Sequence, residues 1–198
     1  MKLYLNKTSP YARLVAVTAA EAGLSERLET VWVEPWEDPP ALLAVNPAAK
    51  IPALEADDGA VLIESGCICD HLVSLSGRED VMPSSPEKRR ETLRRVGLGR
   101  AAMDCAFGAV IQRRFGGGEA LAWRWLKAIP RLALALDPFA ASRAAAVSPD
   151  LGDITVAVAF DYVDFRLPDV AWRTSPGLGA WVDRMASRAS MKATNPRR

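Results

Sequence analysis

The residues best suited to chemistry lie between Asn46 and Ser65. Glu64-Ser65 sets a carboxylate beside a hydroxyl where an apolar, helix-like run begins, and the first turn of a helix carries unpaired backbone N–H groups. Ahead of it, Lys50-Ile51-Pro52 opens a short β-like piece. Its proline removes a backbone donor and takes that strand end out of ordinary central pairing. Asp57-Asp58-Gly59 separates this piece from a second one ending in Ile63, and Asp-Gly is a strong hairpin signal. Such a corner can read a small zwitterion, with main-chain pairing on one side and polar groups for charged ends on the other. Further upstream, Ser9 stands immediately before Pro10 and a helix-like run. Its plain reading is an N-cap, with proline in the first turn where a missing N–H costs nothing.

The elements that must hold these residues read as βαβ followed by ββα. Residues 2–5 form a strand and 10–22 a helix ended by Gly23. A second strand spans 28–33, with Leu28, Thr30 and Trp32 alternating against Glu29, Val31 and Val33. Residues 36–45 are proline-rich loop with a turn of helix. The hairpin pieces 51–56 and 60–63 and the helix 65–76 complete the unit, whose βαβ part should be parallel and right-handed.

Residues 78–86 read as a linker around Pro83-Ser84-Ser85-Pro86, and all that follows is helix-like. A long helix spans 88–115, with small residues (Gly97, Gly99, Ala102, Ala106, Gly108) spaced for close helix contact. Gly116-Gly117-Gly118 breaks it. The next helix, 119–141, should be kinked or split at Pro130. Asp150 and Asp153 flank the start of an apolar run like a capping box, and a last helix spans 176–188. The domains expected are 1–77 and 87–198.

Composition narrows the function. The 198 residues carry 25 basic and 24 acidic side chains, a net charge of +1, with 49% hydrophobic content. No global field favours nucleic acid or a membrane surface. The basic run Lys88-Arg89-Arg90 with Arg94-Arg95 is interleaved with glutamates and reads as a solvated helix face. No apolar stretch approaches the roughly 20 residues of a membrane span, and no leader is visible before the first strand. Three cysteines are too few for a disulfide scaffold. Cys67 and Cys69 would point about 200° apart on a helix, so all three are expected as small buried residues, in a cytoplasmic protein. His71, the only histidine, has no triad or metal-ligand spacing around it, so no metal is expected.

In their order along the chain, Ser9-Pro10-Tyr11-Ala12-Arg13, Asn46-Pro47, Lys50-Ile51-Pro52, Glu64-Ser65 and Leu151-Gly152-Asp153-Ile154-Thr155 resemble the motifs of the glutathione S-transferase superfamily. Ser187-Arg188-Ala189-Ser190 and Asn195-Pro196 are similar to the tail of its YibF-type bacterial members. The resemblance implies an α/β plus all-α architecture: an N-terminal thioredoxin-like βαβ-ββα domain that binds glutathione, then a C-terminal helical bundle for the second substrate and for a homodimer interface. It implies a cis bond before Pro52, main-chain pairing of Ile51 with the cysteinyl part of glutathione, and Glu64-Ser65 on the γ-glutamyl end. Lys50 then falls near the glycyl carboxylate, or is simply a solvated lysine. Asp150 departs from the Ser or Thr usual in the family's capping box.

A free thiol, pKa about 8.5, is only a few per cent ionised at neutral pH. Lowering it by about two units takes about 2.7 kcal/mol. By resemblance Ser9 is the thiol-activating residue, with Thr8 and then Tyr11 as substitutes; Tyr4, inside the strand, does not match the tyrosine-type classes. A serine there disfavours a mixed disulfide. Tyr11, Phe107, Gln112 and Arg113 are candidates for the second-substrate wall, and Arg113-Arg114 point to an anionic or polar acceptor or to solvated surface arginines. The function implied is a glutathione transferase acting on a small electrophile, with glutathione as substrate and no cofactor. The alternatives are a glutathione-binding regulator on the same scaffold, and a glutathione-dependent disulfide or peroxide reductase.

Overall fold

The computed structural model describes residues 1–116, 119–143 and 148–198. Four strands form one mixed sheet in the order β2-β1-β3-β4, with β1 Lys2–Leu5, β2 Glu29–Trp32, β3 Ala53–Glu55 and β4 Val61–Ile63. β1 pairs parallel with β2 through the crossover helix α1, Pro10–Glu21, and antiparallel with β3. β3 pairs antiparallel with β4 across the Asp-Gly turn, where Gly59 has φ +82°. Alternation along the strands sorts the side chains. Leu3, Leu5 and Leu54 join the main core with α1 and α3, Ser65–Ser76. Tyr4 and Ala53 face the other way, onto Leu42 of the short α2, Pro40–Leu43.

The C-terminal half is helical: α4 Pro86–Phe115, α5 Glu119–Ser142, α6 Leu151–Arg166, α7 Pro176–Ala186 and α8 Ala189–Ala193. The expected thioredoxin-like unit followed by a helical bundle is therefore the observed architecture. α6 is its axis, since every residue from Leu151 to Phe160 is buried, as a helix apolar all round requires. α4 crosses it at Gly99, where a Cβ would meet Thr155 Cγ2 and the Val156 nitrogen at 3.0 Å. Gly108 likewise makes room for the Trp125 ring.

The capping box on α6 is present: Asp150 accepts from the Asp153 N–H at 3.0 Å, and Asp153 from the Asp150 N–H at 3.2 Å. Arg95 of α4 reaches both carboxylates, at 2.5 and 2.6 Å, and Arg143 adds a bond to Asp153 at 2.5 Å. Arg95 therefore leaves the solvated basic face expected of its neighbours, because two buried carboxylates must be neutralised.

Other expectations also need correction. α5 is not split: it runs as one helix through both Pro130 and Pro138, with Ile129, Ala133 and Leu136 in a continuous buried stripe that offsets the lost N–H bonds. The last helical segment is two helices, broken at Ser187 and Arg188. Within residues 78–85, Val81 and Met82 alone are buried, and the Leu151 N–H donates to the Val81 carbonyl at 2.8 Å. Cys67 is exposed, whereas Cys69 is buried and its thiol is pushed up to about 12 by burial. Trp172 is core, while Trp123 is 57% exposed under Lys127. Gly116 caps α4 in the left-handed region; Gly117 and Gly118 lie outside the described residues.

An ion pair and hydrogen bonds tie the tail to α1, and a second ion pair ties α1 to α6. Arg13 bonds Asp161, the Met191 carbonyl and Thr194, and Glu21 accepts from Arg188 and Ser190. Burial alone would raise the Glu21 carboxyl; the bonds from Arg188 and Ser190 outweigh it and hold it below the usual range. Its folded pKa is thus below the unfolded value of about 4.3, so its stabilisation is present above that pH and lost as pH falls through the folded pKa. Amide exchange in α8 is expected to accelerate below about pH 4 before that of α6 does; simultaneous loss would show that α8 does not open separately.

Candidate functional site

Sheet topology gathers the candidate residues. The carboxyl ends of β1, β2 and β4 and the amino end of β3 share one edge, since Leu5 pairs with Trp32 and Ala53 with both Tyr4 and Ile63. The loop with Ser9, the loop with Ile51-Pro52, the Glu64-Ser65 corner and residues 33–39 therefore all emerge at that end.

The Ile51-Pro52 peptide bond is cis. Asn46 fixes the turn before it: its buried side chain donates to the Lys50 carbonyl at 2.7 Å and accepts from the Ala48 N–H at 3.1 Å. Ladder pairing starts only at Ala53, so among the described residues the Ile51 main chain keeps its hydrogen-bonding groups for another extended chain. Pro52 is buried and Lys50 exposed.

Glu64 has φ +74°, a conformation costly for a residue with a Cβ. It caps α3, with Oε2 accepting from the Gly66 N–H at 2.9 Å. Burial alone would raise its carboxyl, but bonds from Arg100 and from the Gly66 N–H prevail and hold it below the usual range, so it is ionised at neutral pH. Ser65 is buried and donates to Glu64 Oε1 at 3.2 Å.

Ser9 is the N-cap that its position suggested. Its Oγ accepts from the Ala12 N–H at 3.2 Å, as an N-cap. That bond uses a lone pair and leaves the hydroxyl proton free to donate. The Asn6 side chain braces the loop by accepting from the Thr8 and Ser9 N–H groups at 3.2 and 2.9 Å. Tyr11 turns away from thiol chemistry. Its hydroxyl donates to Asp104 at 2.7 Å, and burial followed by that carboxylate pushes its pKa up, so it stays protonated.

The facing wall is one stripe of α4. Arg100, Asp104, Phe107 and Phe115 follow the spacing of a single helix face. Arg100 bonds Glu64 and Ser65, Asp104 bonds Tyr11, and Phe107 meets the Tyr11 ring edge-on at 5.4 Å. Phe115 meets Trp36 of residues 33–39 at 4.8 Å, with Arg114 over both rings. Arg113 is off this stripe and pairs with Asp169 at 3.1 Å. Gln112 keeps a buried Oε1 with no hydrogen-bond partner among the described residues. Sequence reading passed over Arg100, Asp104 and Trp36. The i, i+4, i+7 spacing after Arg100 was the available signal.

A cis-proline turn, a strained acidic N-cap and a serine-capped helix meet at one sheet edge. The family model for the glutathione S-transferase N-terminal domain matches residues 3–80. A glutathione transferase family member from Pseudomonas fluorescens Pf-5, solved with bound glutathione, is 32% identical, covers 98% of each chain and superposes with a TM-score of 0.87. The chain belongs to the glutathione transferase family. The Pf-5 transferase has also been solved with S-(propanoic acid)-glutathione, at 31% identity over 99% of each chain and a TM-score of 0.86. The uncharacterised GST-like protein YibF of Escherichia coli K12 is 22% identical over 99% of this chain and 98% of its own length. This transferase-family chain shows no group of three or more metal-ligating side chains among its described residues, and no described helix is long and apolar enough to cross a membrane.

Proposed function

We propose that the chain is a cytoplasmic glutathione transferase that holds glutathione at the shared sheet edge and directs its thiolate at a small electrophile in the cleft facing α4. The observation that carries this reading is the convergence of the unpaired Ile51 main chain, ionised Glu64, Ser65 and the donor-competent Ser9 on one edge. The tripeptide's cysteinyl unit extends the sheet by pairing with Ile51, its γ-glutamyl end meets Glu64 and Ser65, and Lys50 lies toward its glycyl carboxylate. The sulfur then faces Ser9 and the amino end of α1. Placing thiolate and electrophile side by side converts a bimolecular encounter into a unimolecular step. The Pf-5 relative's conjugate supports a cleft with room beyond the sulfur.

The aromatic edges of Tyr11 and Phe107 form the near acceptor wall. Arg113, tied to Asp169, has a weaker claim to it than Phe107. Leu93 on α4 and Leu121 and Trp123 on α5 are 47%, 43% and 57% exposed, and they support a two-fold homodimer through α4 and α5, to be checked by light scattering.

Calorimetry with glutathione tests the binding half. Wild type is expected to bind, and Glu64→Ala to lose about tenfold or more, as removal of a charged hydrogen-bond partner does. An unchanged affinity would move the γ-glutamyl site elsewhere. Turnover with an electrophile panel tests the transfer half, and turnover confined to hydroxyethyl disulfide or hydroperoxides would favour a reductase instead.

A further inference from the structure

Beyond Arg100, α4 meets the N-terminal half at two places on one face. Asp104 and Phe107 contact Tyr11. At the helix end, Phe115 and Trp36 lie ring to ring at 4.8 Å, and the Arg114 guanidinium sits 5.3 Å from both ring centroids. Between Phe107 and Phe115 the helix advances about 12 Å at 1.5 Å per residue, with Ile111 on the same face. Among the described residues, no hydrogen bond, ion pair or ring contact joins residues 108–113 to the N-terminal half. The loop carrying Trp36 is shaped to present it. Pro35–Glu37 form one 3-10 turn capped by Glu34, whose side chain accepts from the Trp36 N–H at 3.3 Å. Asp38 then takes φ +46°, in the left-handed region that a residue with a Cβ enters at a cost. Even so, Trp36 and Phe115 stay 51% and 57% exposed. Core packing does not explain two large rings held in water by a shaped loop and a shared cation.

We propose that Trp36 and Phe115 are specificity-determining residues that close the far end of the acceptor cleft and set the length of electrophile it takes. This rests on the transferase reading and adds a substrate class to it: compact apolar electrophiles that fit between the Tyr11 and Phe107 edges and the Trp36–Phe115 stack. A group bonded to the sulfur beside Ser9 runs along α4, over Ile111, toward that stack. Each methylene buried between the two walls gains about fourfold in affinity. One that passes the far wall returns to water and gains nothing. The wall is tied across both halves of the chain, because Arg114 on α4 lies over the ring from the loop as well as over its neighbour. A residue on the loop alone could swing aside for a longer acceptor, whereas this stack resists it.

The alternative is that the stack only fastens the loop to α4. Calorimetry on the full chain with S-methyl-, S-hexyl- and S-decylglutathione separates the two. A zigzag chain advances about 1.3 Å per C–C bond of about 1.5 Å, so hexyl stays within the stretch from Phe107 to Phe115 and decyl overruns it. Wild type should bind S-hexylglutathione about tenfold or more tighter than S-methylglutathione, and S-decylglutathione within about threefold of the hexyl ligand. Trp36→Ala and Phe115→Ala should each raise the preference for decyl over hexyl about tenfold, the gain from burying two further methylenes. S-methylglutathione should change by less than about twofold in either variant. Both rings are half exposed, so both variants should melt near wild type, and Trp36→Phe should keep the wild-type preference. A decyl preference unchanged in both alanine variants, or a wild-type affinity that climbs evenly through decyl, overturns the proposal. Equal weakening of all three ligands in Trp36→Ala would place the loop on glutathione itself and overturn it as well. Failure of wild type to bind S-methylglutathione overturns the glutathione reading, and this inference with it.

Discussion

Ser9→Ala is expected to lower kcat for glutathione conjugation about threefold to twenty-five-fold at neutral pH, the loss of thiolate when the thiol pKa returns by one to two units, with glutathione affinity changed by less than about threefold. The size follows from what the hydroxyl can supply. A hydrogen bond to a charged group contributes about 1.5–3 kcal/mol, and the amino end of a helix adds about 0.3–1 kcal/mol. Together they cover the roughly 2.7 kcal/mol that a two-unit fall in thiol pKa needs. Part of the effect survives in the variant, because α1 still presents the Tyr11 N–H, which has no partner among the described residues. The cap is lost as well, since Ser9 accepts from Ala12, so Ser9→Ala should also cost about 0.5–2 kcal/mol of stability. Ser9→Gly separates the two effects: glycine caps nearly as well as serine, so it should lose the rate while staying folded. If neither variant changes kcat, Thr8 or the helix end alone activates the thiol.

The largest stability effect is expected at Arg95. Removing one partner of a buried ion pair costs about 3–5 kcal/mol, because the other charge is left uncompensated. Arg95 serves two carboxylates, Asp150 and Asp153, which are 4% and 3% exposed. Burial is the dominant influence on the Asp153 carboxyl and pushes it up even with Arg143 and Arg95 beside it, so Arg95→Met leaves an anion poorly tolerated where it stands. At about 2–4 °C per kcal/mol for a chain of this size, the melting temperature should fall by about 6 °C or more. The exposed Arg78–Asp80 pair is the control. Its bonds are as short, 2.7 and 2.6 Å, yet solvent screening leaves an exposed pair little net worth, so Arg78→Ala should melt close to wild type. Equal losses at Arg95 and Arg78 would contradict the weight placed on burial.

The proposed glutathione corner was more legible in the sequence than the wall opposite it. Ile51-Pro52, Asp58-Gly59 and Glu64-Ser65 are local signals: each constrains its own backbone, and their order fixes the hairpin and the start of α3. The capping box at Asp150 and Asp153 was readable for the same reason. Arg95 was misjudged because its partners lie 55 and 58 residues away, and nothing local distinguishes it from Arg94, which bonds Glu91 at the surface. Arg100 escaped for a related reason. Helical spacing marks a stripe, but only the crossing of α4 over α6, set by Gly99 against Thr155, turns that stripe toward the sheet edge. Pro130 left a kink or a split open, because the proline penalty is local, whereas the packing that keeps α5 in one piece is shared along the helix.

Titration of the thiol of bound glutathione, followed by thiolate absorbance in the ultraviolet, bears most directly on the proposed activation. In wild type the bound thiol is expected to ionise about two units below the free value of about 8.5, and in Ser9→Gly to return upward by a unit or more. A wild-type complex whose thiol ionises at the free value would contradict activation at Ser9 and leave the chain a protein that binds glutathione without preparing it to react.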